Sequence, residues 1–162
     1  MSLIERVLTK LIETLTIIGG TVFVCSLVVG VFYRYVLHNA LTWSDEVAML
    51  CFTWVVFLGA ALLIRENGHV RIQLIESILP DSLNWVLHLS IQLLIFVIGV
   101  YMVWFGWDYT QLTVGQTAPA TRYPIWVRSL SVPISGILFC LYSLLNMFLP
   151  VKSKEITEAD II

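Results

Sequence analysis

The run from Val47 to Ile64 is apolar at every position except Thr53, and polar residues bracket it on both sides. Together with the turn before it, the run reaches the roughly 20 residues needed to cross about 30 Å of hydrocarbon. Ahead of it stand Thr42, Ser44, Asp45 and Glu46. They supply capping oxygens and negative charge where a helix leaves its first amides unpaired and its dipole positive, so a helix is predicted to start near Ser44. Behind it, Arg65, Glu66, Asn67, Gly68, His69 and Arg71 end the apolar run. A chain built on such a segment is constrained to helices that satisfy their own backbone in lipid.

Three further runs share this character, and the composition agrees: 59% of the 162 residues are hydrophobic and 12% charged, against about 45 to 50% apolar in soluble domains. The fold class is therefore an all-α integral membrane protein, with four tilted transmembrane helices and one short in-plane amphipathic helix. The spans are expected at about 15–35, 44–64, 83–107 and 124–149, in one membrane domain covering 1–150. Residues 151–162 form a short tail of mixed charge. The in-plane helix is read at about 71–79, where Ile72, Leu74, Ile75, Ile78 and Leu79 share a face and Pro80 ends it. Met1 to Lys10 reads as a turn or two of surface helix leading into an uncleaved first span. Asp108 to Tyr123 reads as a loop. Pro124 opens the last span, with Pro133 as its kink and Ser129, Ser131 and Ser135 available to bond freed carbonyls.

Basic residues give the orientation, because Lys and Arg are retained on the cytoplasmic side. With both termini inside, Arg6, Lys10, Arg65, Arg71, Lys152 and Lys154 are cytoplasmic, and Arg34, Arg122 and Arg128 lie opposite. Tyr33, Tyr35, Trp85, Trp104, Trp107 and Trp126 fall near span ends, as interfacial aromatics do. Arg34 has two readings, an interfacial anchor or the partner of Asp45 or Glu46 across the short turn. Ser26 and Gly30 also have two, ordinary packing or a small-residue dimer face.

Chemistry is sparse. The net charge of -2 and the lack of a basic run exclude nucleic acid as a partner class. Cys25, Cys51 and Cys140 lie in apolar runs, where a thiol packs as a small hydrophobe. No phosphate loop, metal spacing or nucleophile with a base is present, so an enzyme is not expected. Haem held between two histidines would need a pair within the spans, and only His88 of His38, His69 and His88 lies in one. Glu13, Asp45, Glu46, Glu66, Asp81 and Asp108 all fall near span ends, whereas a self-sufficient ion-coupled pump needs a deep ionisable group. These residues describe a polytopic helper or scaffold subunit. An independent small multidrug-type transporter or channel, or a membrane anchor of a redox enzyme, are the other classes considered.

Three stretches narrow this: RYVLHNALTWSDEVAML, FLGAALLIRENGHVRIQLI and APATRYPIWVRSLSVPISGILF. They resemble the small membrane (Q, DctQ-type) subunit of tripartite ATP-independent periplasmic (TRAP) transporters, most specifically at Arg34-Tyr35, Trp43 with Glu46, and Gly68-His69-x-Arg71. Gln73 departs from the pattern, which often carries Asp there. The resemblance implies a subunit of a multi-pass complex in the bacterial inner membrane, with sodium-coupled uptake of organic acids of the dicarboxylate or sialic acid class. It implies as partners a large membrane subunit holding the substrate and sodium sites, a periplasmic substrate-binding protein, and membrane lipids. No cofactor is implied in this chain. Arg34, Trp43, Asp45 and Glu46 would serve outer-turn and partner contacts, and Arg65, Gly68, His69 and Arg71 an elbow that anchors to lipid.

Overall fold

A computed structural model describes residues 3–65 and 81–148. Its elements are α1 (Leu3–Tyr35), α2 (Thr42–Arg65), α3 (Asp81–Leu112), α4 (Trp126–Ser129) and α5 (Ser131–Phe148). Four stretches are long and apolar enough to cross a membrane: Val7–Tyr35, Thr42–Arg65, Trp85–Leu112, and α4 with α5 over Trp126–Met147. The region read as an in-plane helix lies outside the described residues, as does the C-terminal tail.

Element boundaries differ from the sequence reading where local hydrogen bonding extends a helix. α1 runs unbroken from Leu3, so the surface turns and the span are one rod. Along it the Thr14, Thr16 and Thr21 hydroxyls donate to the carbonyls of Lys10, Ile12 and Ile17, hiding polar groups within the helix. α3 continues to Leu112, beyond the expected end at Trp107. The Thr110 hydroxyl donates to the Gly106 carbonyl there, and Asp108 belongs to the helix rather than the loop.

α1 ends without a glycine. Asn39 N–H reaches back to the Tyr33 carbonyl at 3.1 Å and His38 takes φ 50°, which is the left-handed C-terminal cap in which glycine is usual. The turn is short, so α2 returns directly along α1.

The helices pack as a row. α1 lies on α2, α2 on α5, and α5 on α3, leaving α1 and α3 as the two edges. The buried centre is at the end opposite the α1–α2 turn, where Ile12, Leu58, Ala61, Ile64 and Tyr142 meet, flanked by Trp54, Ile95 and Leu138. Outward faces remain apolar: Val28 and Phe32 on α1, and Leu93, Tyr101 and Phe105 on α3, are all exposed. In lipid, packing between helices comes from close contact and interhelical hydrogen bonds, not from withdrawing apolar surface from water. The α3–α5 seam shows both. A Cβ on Gly136 would lie 2.8 Å from the Gly99 carbonyl oxygen, and one on Gly106 would lie 3.0 Å from Pro133 Cδ. The Ser143 hydroxyl donates to the Gln92 carbonyl, and the Cys140 thiol lies 3.7 Å from the Phe96 carbonyl.

The last span breaks at Leu130, between α4 and α5. Pro133 has no N–H for the Ser129 carbonyl, and the Ser131 hydroxyl donates to the Arg128 carbonyl at 2.7 Å. Ser135 does not join this repair. Its fully buried hydroxyl has no hydrogen-bond partner among the described residues.

Candidate functional site

The end of the row that carries the α1–α2 turn bears Arg34, Asp45, Glu46 and Arg128, which form a cap. Arg34 in the last turn of α1 and Asp45 in the first turn of α2 are brought together by the tight return, with Nη2 to Oδ2 at 3.3 Å. The two side chains are 55% and 61% exposed, so such a pair is worth at most about 1 kcal/mol.

Successive helix residues diverge by about 100°, which separates the roles of the neighbours of Asp45. Ser44 points inward, 1% exposed, and its hydroxyl donates to the Leu41 carbonyl at 2.9 Å. It therefore does not cap an amide as the sequence reading expected. It fills the gap beside α1, where a Cβ on Gly30 would lie 2.5 Å from the Ser44 Oγ. Gly30 and the buried Ser26 are thus part of packing within one chain.

Glu46 turns instead to the loop between α3 and α4. That loop is drawn into a narrow hairpin by a bridge between Thr117 and Pro124, by Ala118 N–H to the Tyr123 carbonyl at 2.9 Å, and by Ile125 N–H to the Gln116 carbonyl at 3.0 Å. Arg122, at φ 57°, donates its N–H to the Ala118 carbonyl and closes the tip. The tip leaves two successive amides converging on one point, as in backbone anion nests. Glu46 fills it: Oε1 accepts from Ala120 N–H at 2.8 Å, and Oε2 accepts from both Thr121 N–H at 2.8 Å and the Thr121 hydroxyl. The carboxylate is thereby committed to the loop, leaving Asp45 as the partner of Arg34.

Two further contacts complete the cap. At the loop's base the Thr113 hydroxyl donates to Ser129 Oγ at 3.1 Å, joining the end of α3 to α4. From α4, Arg128 Nη1 lies 3.5 Å from the Met49 sulfur on α2. Trp43 is exposed beside Ser44.

At the other end of the row, Arg65 is partly buried in the last turn of α2. The adjacent Ile64 carbonyl accepts from Asn146 Nδ2 at 2.8 Å, which ties α5 to the end of α2. Gly68, His69 and Arg71 lie outside the described residues. Tyr33, Tyr35, Trp85, Trp104, Trp107 and Trp126 all present exposed rings. Among the described residues no group of three His, Cys, Asp or Glu side chains is placed to hold a metal.

Sequence reasoning missed Ala120, Thr121, Met49, Asn146 and the glycines of the α3–α5 seam. Backbone amides carry no sequence signal. Gly99 and Gly106, seven residues apart and so on one helix face, did carry one.

The family described as "Tripartite ATP-independent periplasmic transporters, DctQ component" matches residues 23–153. The chain is 33% identical to the sialic acid TRAP transporter permease protein SiaT of Haemophilus influenzae, over 55% of this chain and 15% of that one. It is 27% identical to the isethionate TRAP transporter permease protein DctMQ of Oleidesulfovibrio alaskensis, over 64% of this chain and 18% of that one. It thus spans less than a fifth of either permease. With the sialic acid TRAP transporter small permease protein SiaQ of Vibrio cholerae it shares 23% identity over 95% of this chain and 92% of that one.

Proposed function

Because the chain belongs to the DctQ component family of the tripartite ATP-independent periplasmic transporters, a family of transporter subunits and not of enzymes, we propose that this small permease subunit is the stationary scaffold of its transporter. In this reading a large membrane subunit holds the solute and sodium sites and a periplasmic binding protein delivers the solute, an organic acid of the dicarboxylate or sialic acid class.

The observation that carries the proposal is how the polar groups of the spans are used. No Asp, Glu, Lys or Arg stands between Glu13 and Arg34, between Glu46 and Arg65, or anywhere in α5. Asn146 and Ser143 bond to backbone carbonyls of neighbouring helices, and Ser44 and Thr110 to carbonyls of their own stretch, so these polar groups serve packing. In the cap, Arg34 pairs with Asp45 and Glu46 is taken by the loop amides. Similar relatives named for sialic acid and for isethionate support a subunit whose fold does not select the solute.

The orientation in this proposal puts the cap on the periplasmic side and Arg65, Gly68, His69 and Arg71 on the cytoplasmic side, where basic residues near anionic lipid contribute about 1 kcal/mol each to placement. Single cysteines at Asn67 and Thr117 in a cysteine-free background test it, with an impermeant reagent expected to label only position 117 in intact cells.

Reconstitution tests the division of labour. The chain alone, in vesicles under an inward sodium gradient, is expected neither to bind nor to move an organic acid. With the large subunit and loaded binding protein, uptake is expected to require it. Sodium-dependent uptake by this chain alone overturns the scaffold reading.

A further inference from the structure

One face of α2 and one of α1 enclose an open groove near the cap. Asp45, Ala48, Met49 and Phe52 line it from α2, and Phe23 and Leu27 from α1, around a volume of about 320 Å³. The α2 residues are spaced as one helix face, and from Asp45 to Phe52 the groove runs about 10 Å along the axis. Ala48, 4% exposed, is the small floor residue that leaves the space open. Phe23 and Phe52, with ring centroids 5.5 Å apart, close the deep end. The walls are hydrocarbon, and the mouth is not.

Three charged side chains border the groove, at Asp45 and at Met49, residues one turn apart on α2. Asp45 is part of the lining, and Arg34 reaches it at 3.3 Å. Arg128 comes from the other side, its guanidinium against the sulfur of Met49, itself a lining residue. Arg128 has no carboxylate partner among the described residues, where the Arg34–Asp45 pair is the only salt bridge. An apolar slot entered between two guanidinium groups and a carboxylate is complementary to a molecule with an acyl chain, a phosphate and a cation.

We propose that the α1–α2 groove binds one phospholipid whose headgroup carries a primary ammonium as well as a phosphate. An acyl chain lies over Ala48 between Leu27 and Met49, the phosphate is held by Arg128 and Arg34, and the ammonium is held by Asp45. The rim decides for lipid over a partner helix. It offers both signs of charge, with Arg34 on Asp45 and Arg128 on Met49 one helix turn along, and phosphate pairing with Arg is bidentate and charge-assisted. Glu46 does not compete for the ammonium, since its oxygens are bonded to the loop amides.

The test is native mass spectrometry of the full chain released from bilayers of equimolar phosphatidylethanolamine and phosphatidylglycerol. One retained phosphatidylethanolamine is expected, favoured over phosphatidylglycerol by about fivefold, the factor that one exposed charge pair supplies at most. Asp45→Asn should remove the preference between the two lipids. Arg128→Gln should reduce retention of both, and Ala48→Leu should abolish it by filling the floor. Should Ala48→Leu misfold, the two rim variants, which alter exposed or partly exposed groups, still decide. Retention without headgroup preference, or unchanged by both rim variants, overturns the proposal. A photo-crosslinking residue at Leu27 in the assembled complex should label lipid; a protein adduct means that a partner helix fills the groove and also overturns it.

Discussion

Glu46 holds Thr121 twice, through its backbone N–H at 2.8 Å and through its hydroxyl, across 75 positions of sequence. With Ala120 N–H on the other oxygen, the carboxylate fastens the α3–α4 loop to the first turn of α2. The row of helices is thereby tied at the cap by Glu46 and at the far end by Asn146.

Glu46→Gln replaces one acceptor oxygen with a donor that faces amide donors, so the tip should detach. Hydrogen exchange at Ala120 and Thr121 is expected to rise by about tenfold or more, with amides near Ser143 unchanged, since loops open locally without global unfolding. Thr121→Val should give a smaller rise, having lost the hydroxyl alone. Unchanged exchange in both variants means that the hairpin's own bonds suffice.

Arg34 and Asp45 are both more than half exposed, and a double-mutant cycle should return a coupling of about 1 kcal/mol or less. It should fade as salt rises, because exposed charges are screened. A coupling several times larger that is insensitive to salt indicates a dry, buried pair in the assembled complex.

Gly136 and Gly20 make a matched contrast. A methyl on Gly136 meets the Gly99 carbonyl at 2.8 Å and Met102 Cβ at 2.9 Å, whereas one on Gly20 meets nothing within 4 Å. Gly136→Ala should cost about 1 to 3 kcal/mol through overpacking, measured by reversible unfolding in mixed micelles. Gly20→Ala should stay within about 0.5 kcal/mol of the parent.

Asn146→Leu keeps the volume and loses the bond to the Ile64 carbonyl. The expected cost is about 0.6 to 2 kcal/mol, the range for interhelical hydrogen bonds in membranes. A stabilised variant would show that Asn146 is kept for another reason than tying α5 to α2.

The sequence by itself determined the class and the presence of four long apolar helices, because a bilayer imposes a length and a polarity that few other environments demand. Val47–Ile64 between Glu46 and Arg65 has no other solution, and the motifs around Arg34, Trp43 and Glu46 pointed to the family. It also offered Arg34 two acidic neighbours and could not choose between them. The choice came from the loop at Thr121, whose amides took Glu46 and left Asp45 free, and amide positions follow from backbone geometry alone. The row order of the helices was likewise beyond the sequence: apolar faces look alike whether they meet lipid or protein. Only the fitted contacts of Gly99 with Gly136, Gly30 with Ser44, and Asn146 with Ile64 place α2 and α5 inside and α1 and α3 at the edges. Those contacts depend on which small residue lies opposite which carbonyl, a relation that exists only in three dimensions.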